Sequence, residues 1–371
     1  MRLSDLADVI FSTWKHNPTQ SIFVMGPPGI GKTSVAAAVV DRIRKYNTDN
    51  NVQGPVVCHI KDLSSSLPED LNGLPKTDGE VMRFVPDTWL AECCNPEASG
   101  ILILDDLPAA TASIQVAARQ LVLDKRIHEH RLSSKVIVVV TGNRREDASA
   151  AKTLPAHFRN SVLTLEAEAN LADWTSWMRS KDADRSVTDF LAFRPQHFSR
   201  LPVNADQRGV FATPRTWKML SDLMPVALET KKLFEISAGL VGEGVSAEFV
   251  AFKDMSDALP DPKAVLEDPY KHYPSNHDIW SNRPDLMVAV LSGISYYAGK
   301  AKKTKDFVPV DAYVKAVAYL CSRSTEYFEF AFQAFRDSGG REMAFLTAAQ
   351  QLSTTDSRVA QLKAKLREVF A

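Results

Sequence analysis

The chain has 371 residues, is 45% hydrophobic, and carries 44 basic against 45 acidic side chains for a net charge of −1. That length fits two domains with real cores. The charge balance excludes a global pull toward nucleic acid or an anionic membrane, and no apolar run approaches the ~20 residues that span a bilayer. The four cysteines, Cys58, Cys93, Cys94 and Cys321, form no C-x-x-C pair, which suits reduced thiols in a cytoplasm.

In chain order, residues 3–15 read as an amphipathic helix and 22–25 as a short apolar strand. The next stretch, Gly26-Pro27-Pro28-Gly29-Ile30-Gly31-Lys32-Thr33, fits the P-loop pattern at every fixed position. It runs into a helix over 33–46 that starts with Ser34. Strand, glycine-rich loop and helix start aim backbone N–H groups at one anionic spot. Lys32 then suits the β- and γ-phosphates of ATP, and the Thr33 hydroxyl suits Mg²⁺.

Strands are expected at 55–60, 101–105 and 136–141, and a helix at 111–124. Strands alternating with helices predict an α/β fold with a mostly parallel sheet. Ile101-Leu102-Ile103-Leu104 reads as a strand buried on both faces, ending in Asp105-Asp106. Asp105 is the candidate metal carboxylate, and Asp106 the group that orients or deprotonates the attacking water. The following strand ends in Thr141-Gly142-Asn143, and the Asn143 amide suits a sensor of the γ-phosphate. Beyond about residue 165 the pattern is helical: 171–180, 187–193, 214–236, 246–257 and 285–371, with a Pro-, Asp- and Asn-rich linker or long loop between.

Three other features have ordinary readings. His128 and His130 alternate along an expected strand and suit a solvent-facing hairpin better than a metal. Lys300, Lys302, Lys303 and Lys305 suit a solvated loop. Tyr327, Phe328, Phe330, Phe332 and Phe335 suit a core or subunit interface, and Trp174 with Trp177 a packed helix face.

The order of P-loop, acidic strand and Asn-tipped strand resembles AAA+ ATPases, and the finer pattern resembles their MoxR-like bacterial and phage branch. Carrying that resemblance are Asp70-Leu71-Asn72-Gly73-Leu74-Pro75, Pro86-Asp87-Thr88-Trp89-Leu90, and Gln115 to Asp124 with Arg126-Ile127. Further stretches are Gly142-Asn143-Arg144 with Asp147, Thr213-Pro214-Arg215-Thr216-Trp217, Val241-Gly242-Glu243 and Glu248-Phe249. The resemblance covers roughly residues 1–270.

It implies a core at 1–165 and a helical lid at 166–260; beyond its reach, composition and helical pattern give a linker at 261–284 and an additional all-α domain at 285–371. It implies a hexameric ring that hydrolyses ATP and remodels or activates a protein partner, one with a von Willebrand factor A domain. Residues 64–85 would shape the pore, Lys125 to Leu132 would form a hairpin, and Arg215 would be a second sensor. Two departures matter. Relatives carry Asp-Glu where this chain has Asp105-Asp106, which draws the carboxylate back by ~1.5 Å. Ser161 stands where an arginine finger is usual, with Arg159, Arg144 and Arg145 as substitutes. Both favour a second reading, a nucleotide-gated ring assembly module with little turnover. A DNA-acting motor has only Lys76 and Arg83 in its support.

Overall fold

The computed structural model describes residues 1–144, 154, 156–181, 183–200, 209–274, 277, 279, 283–299, 310–322, 326–338, 340–351, 358 and 360–364. They cluster into two compact units. The first holds Met1–Asp173 with Thr213–Arg215, and the second holds Trp174–Arg200, Val210–Ala212 and the described residues from Thr216 onward.

In the first unit, α1 (Leu3–His16) precedes β1 (Ile22–Met25), α2 (Lys32–Asp49) and β2 (Val56–Asp62). Next come α3 (Pro68–Asn72), the hairpin β3 (Leu74–Asp78) and β4 (Val81–Val85), and α4 (Thr88–Cys94). Then follow β5 (Ser99–Asp105), α5 (Ala112–Arg119), the hairpin β6 (Arg126–Ile127) and β7 (His130–Arg131), β8 (Lys135–Gly142), α6 (Ala156–Arg159) and β9 (Leu163–Glu166). Five strands form one parallel sheet in the order β2-β5-β8-β1-β9. Ile101 to Leu104 are wholly buried, which explains the unbroken aliphatic run of β5. Helix α1 buries Leu6, Ile10 and Trp14 at helical spacing, and the Trp14 indole donates to the Lys135 carbonyl at 2.9 Å.

Some details of this unit differ from the sequence reading. The helix expected to reach residue 124 widens into a π turn at Gln120–Asp124. The Ser21 hydroxyl donates to the Val122 carbonyl there, and Lys125 turns left-handed at φ 54° to open the hairpin. Strand β9 lies outside the expected set because it is only four residues long and mostly exposed, so its Leu163-Thr164-Leu165-Glu166 alternation is too brief to carry a strand signal.

The second unit is helical: α7 (Leu171–Ser180, entering from the first unit), α8 (Arg185–Phe193), α9 (Pro214–Thr230), α10 (Leu233–Val241) and α11 (Glu243–Asp257). After them come α12 (Pro262–Glu267), α13 (Pro269–His272), α14 (Pro284–Gly299), α15 (Val310–Leu320), α16 (Tyr327–Asp337) and α17 (Glu342–Gln351). The helix expected over 214–236 breaks at Lys231, where φ is 56°. Helices α12 and α13 occupy part of the expected linker. Each starts at a capping aspartate, Asp261 or Asp268, followed by proline. Val265, Leu266 and Tyr273 from this stretch are buried in the same core as α14 to α17.

That core is aromatic: Phe328, Phe332 and Phe335 are buried, Tyr313 stacks on Phe335 at 5.0 Å, and Phe345 packs against both. Beside it lies a buried ion network. Arg179 of α7 sits 3.5 Å from Asp189 of α8 and 3.3 Å from Asp337 of α16. Arg185 approaches Asp189 to 3.3 Å, and the Ser292 hydroxyl of α14 donates to Asp189. Burial pushes the Asp189 carboxyl up, against the pull of Arg185 and Arg179.

Candidate active site

The P-loop leaves the C-terminal end of β1, between β8 and β9, where open parallel sheets bind ligands. Its first glycine is tied to β8, with Gly26 N–H donating to the Gly142 carbonyl at 3.3 Å. A Cβ at Gly26 would lie 2.4 Å from the Ala167 carbonyl oxygen, so only glycine lets the loop close there. Gly29 and Gly31 take φ of +74° and +106°, values that glycine adopts without a steric cost. Gly31 caps α2, which begins at Lys32. Pro27 and Pro28 stiffen the loop between these points, Ile30 anchors it in the core, and Ser34 is exposed on the first helical turn.

The charged residues meet at this edge. Lys32 Nζ donates to the carbonyls of Gly26 and Pro27, each at 2.8 Å, and to Asn143 Oδ1 at 2.9 Å. Thr33 Oγ1 donates to Asp105 Oδ1 at 2.8 Å. The Thr141 hydroxyl donates to the same oxygen and accepts the Asp106 N–H at 3.2 Å. Asp106 is left-handed, at φ 54°, a conformation that costs an L-residue about 1–2 kcal/mol. Burial, then the neighbouring Asp105 charge, holds the Asp106 carboxyl above the usual carboxylate range, with Lys32 pulling the other way. A third carboxylate, Asp62 at the end of β2, pairs in register with Asp105. The hydroxyls of Ser64 and Ser65 keep it below the usual range.

Sequence reasoning quoted Thr141 and Thr213 within motif stretches but gave them no role, and it passed over Asp62. Each sits one strand or loop end away from a motif residue, so register was the signal that could have found them. Thr213 is buried, and a Cβ on Gly29 would come within 3.0 Å of its hydroxyl. Next to it, the Arg215 N–H donates to the Gly29 carbonyl at 3.1 Å, which brings the backbone of the proposed second sensor to the P-loop. Its side chain is exposed. Arg159 is exposed at the end of α6, with Ser161 exposed two residues on. Arg144 is half-buried beside Asn143. Arg145, Asp147 and the run from Lys300 to Lys305 lie outside the described residues.

The two hairpins meet at Phe84. Its N–H donates to Glu129 Oε1 at 3.3 Å, His130 Nε2 donates to its carbonyl at 2.8 Å, and its ring stacks on His128 at 3.9 Å. His128 occupies the turn at φ 50° rather than the strand, so the two histidines do not alternate along one face. Of the tryptophan pair, Trp174 is buried against Phe198, but Trp177 is 43% exposed. All four cysteines are free thiols, and burial pushes Cys93 and Cys321 up to about 12. Among the described residues no helix is long and apolar enough to cross a membrane.

A magnesium nucleoside triphosphate fits this donor set. Thr33 and Asp105 offer hard oxygens to one cation, Lys32 offers an ammonium, and the glycine-rich turn offers backbone N–H groups. Asp106 Oδ1 is buried with no hydrogen-bond partner among the described residues, as befits a group that binds a reactant water.

Several solved structures resemble the chain at low identity. A Thermotoga maritima RuvB mutant is 14% identical over 82% of this chain and 89% of that one, with a TM-score of 0.40. Brucella abortus NtrX in complex with ATP is 13% identical over 81% and 64%, with a TM-score of 0.37. C. elegans PCH-2 is 13% identical over 67% and 66%, with a TM-score of 0.34. No curated protein matches the chain significantly. Residues 22–163 match the family described as "ATPase family associated with various cellular activities (AAA)". That span opens at β1, takes in β2, β5 and β8 and ends at the first residue of β9, and residues 22–163 carry an AAA-family domain with the AAA+ P-loop fold.

Proposed function

We propose that this chain is an ATP-hydrolysing AAA+ motor of the MoxR-like branch. It acts as a hexameric ring in the cytoplasm and remodels or activates a protein partner that carries a von Willebrand factor A domain. The observation that carries the reading is the meeting of Lys32, Thr33, Asp105 and Asn143 through side-chain hydrogen bonds at one sheet edge. Magnesium bound with ATP supplies charge neutralisation at the phosphate oxygens. Thr33 and Asp105 would hold that cation, Lys32 would pair with the phosphates, and residues 26–34 would wrap them. Asp106 takes or orients the proton of the attacking water. Asn143 donates toward the γ-phosphate. Arg215, at the start of α9 within a lid over 166–260, and Arg159, from the neighbouring subunit, supply positive charge. A linker at 261–284 and a helical domain at 285–371 complete the proposed organisation.

The test is steady-state ATPase activity per subunit across a wide range of protein concentration, with ATP binding measured in parallel. Activity that rises and saturates is expected, because the site is completed in trans. Bound ATP with no turnover at any concentration would instead select the nucleotide-gated assembly module. The short Asp106 side chain and the exposed Ser161 at the finger position favour that second reading.

A further inference from the structure

Thr141 is 1% exposed and ends the buried run of β8, level with Val24 of the P-loop strand. Its single hydroxyl does two things at once. The proton goes to Asp105 Oδ1, and a lone pair receives the Asp106 N–H at 3.2 Å. A threonine hydroxyl has the inventory for that pair of bonds, one donor and two acceptor sites. Its β-branch leaves few χ1 choices in a strand, so the oxygen is held in place. The residue on the receiving end is the one in the left-handed conformation, Asp106 at φ 54°. A second contact clamps the same turn from the same strand. A Cβ on Gly142 would lie 2.5 Å from Pro108 Cγ, so the glycine lets the Asp106–Pro108 turn sit directly on β8.

We propose that Thr141 is a positioning residue for nucleotide hydrolysis: it locks Asp105 and the left-handed Asp106 into one rigid unit, so that the short Asp106 carboxylate is held at a fixed place beside the P-loop. The lock bears on the departure seen in the sequence. An aspartate where relatives carry glutamate has less reach, and a positioning error of about 1 Å costs on the order of 100-fold in rate. Fixing the backbone from which the shorter side chain projects removes one source of that error. Asp105 gains as well, because its Oδ1 is pinned between the hydroxyls of Thr33 and Thr141. Its own backbone carbonyl accepts the Leu63 N–H at 2.9 Å.

The inference rests on the ATPase reading, and two readouts keep the two apart. The variants are Thr141→Val, which keeps the shape and removes the hydroxyl, and Thr141→Ser, which restores it. The first readout is hydrogen exchange at the Asp106 amide, measured without nucleotide. Loss of one hydrogen bond of about 1.4 kcal/mol corresponds to about tenfold faster exchange in Thr141→Val, and wild-type protection is expected in Thr141→Ser. The second is the split between kcat and KM. In Thr141→Val, kcat should fall on the order of 100-fold while KM and ATP affinity stay within about twofold, and Thr141→Ser should recover most of the rate. If Thr141→Val is too unstable to measure, Thr141→Ala removes the same hydroxyl without adding a methyl to the carboxylate face. An Asp106 amide equally protected in wild type and in the hydroxyl-free variant would overturn the proposal, as would equal loss of kcat in the serine and valine variants. A wild-type protein without turnover would remove the ATPase reading, and the exchange readout alone would then decide whether the lock exists.

Discussion

The sheet edge of the first unit and the helical core of the second both depend on buried charge, but they use it differently. At the sheet edge, Lys32, Asp105 and Asp106 bond to hydroxyls, an amide and backbone groups. In the helical core, Arg179 and Arg185 are closed onto Asp189 and Asp337, and the Asp189 side chain is 2% exposed. Charges held by neutral dipoles stay available to an incoming phosphate or cation. Charges closed on one another are spent on fixing how four helices meet. A site and a scaffold can therefore be told apart by what a buried charge is bonded to.

The comparison predicts opposite outcomes for equivalent substitutions. The largest effect is expected for Lys32→Ala. ATP affinity by calorimetry should fall by about 100-fold or more, the loss of charge-assisted bonds worth about 1.5–3 kcal/mol each, while the thermal midpoint stays near wild type. A large drop in stability instead would make Lys32 part of the scaffold. Conversely, Arg179→Met leaves Asp337 and one side of Asp189 without their cation. Denaturant unfolding should show a loss of about 3–5 kcal/mol, with ATP affinity unchanged. Equal stability of wild type and variant would erase the contrast. A smaller effect is expected for Tyr313→Phe, whose hydroxyl donates to the Ala331 carbonyl at 2.7 Å and contacts the Ser295 hydroxyl at 2.8 Å. Its removal should cost about 1 kcal/mol.

The subtlest test concerns Lys125, whose ammonium bonds the Ser21 hydroxyl at 2.5 Å and which desolvation pulls down to about 7. Unfolded, it titrates near 10.4. Between those values the unfolded chain holds a proton that the folded chain lacks. Stability should thus fall as pH drops from about 10 toward 7, then level off. Lys125→Met should flatten that slope in denaturant titrations across the window. An unchanged slope would mean the ammonium stays hydrated.

The same division governs what could be read from sequence. The P-loop, Asp105-Asp106 and Asn143 were legible because phosphate and metal chemistry fixes residue types at fixed spacing. The buried strands 101–105 and 136–141 were legible because a parallel sheet covered on both faces demands unbroken aliphatic runs. Thr141 was not, because threonine is ordinary in a strand and only the three-dimensional register sets it against Asp106. Strand β9 was missed because four alternating residues, Leu163 to Glu166, are too short a run to stand out from a loop. The Arg179 network was invisible because its members are separated by up to 158 residues and none belongs to a motif. The helices at 262–272 did announce themselves, through Asp261-Pro262 and Asp268-Pro269. Proline-rich composition outweighed that capping signal in a reading that weighed averages over positions.

The clip at Phe84 grips main-chain atoms: Glu129 takes its N–H, and His130 holds its carbonyl. Only the stack on His128 depends on which side chain stands there. Position 84 is therefore free to drift among flat or bulky residues while the grip persists, and the tolerance of the junction is lopsided. Variation would accumulate on the hairpin that is held, and constraint would settle on Glu129 and His130 of the hairpin that holds it.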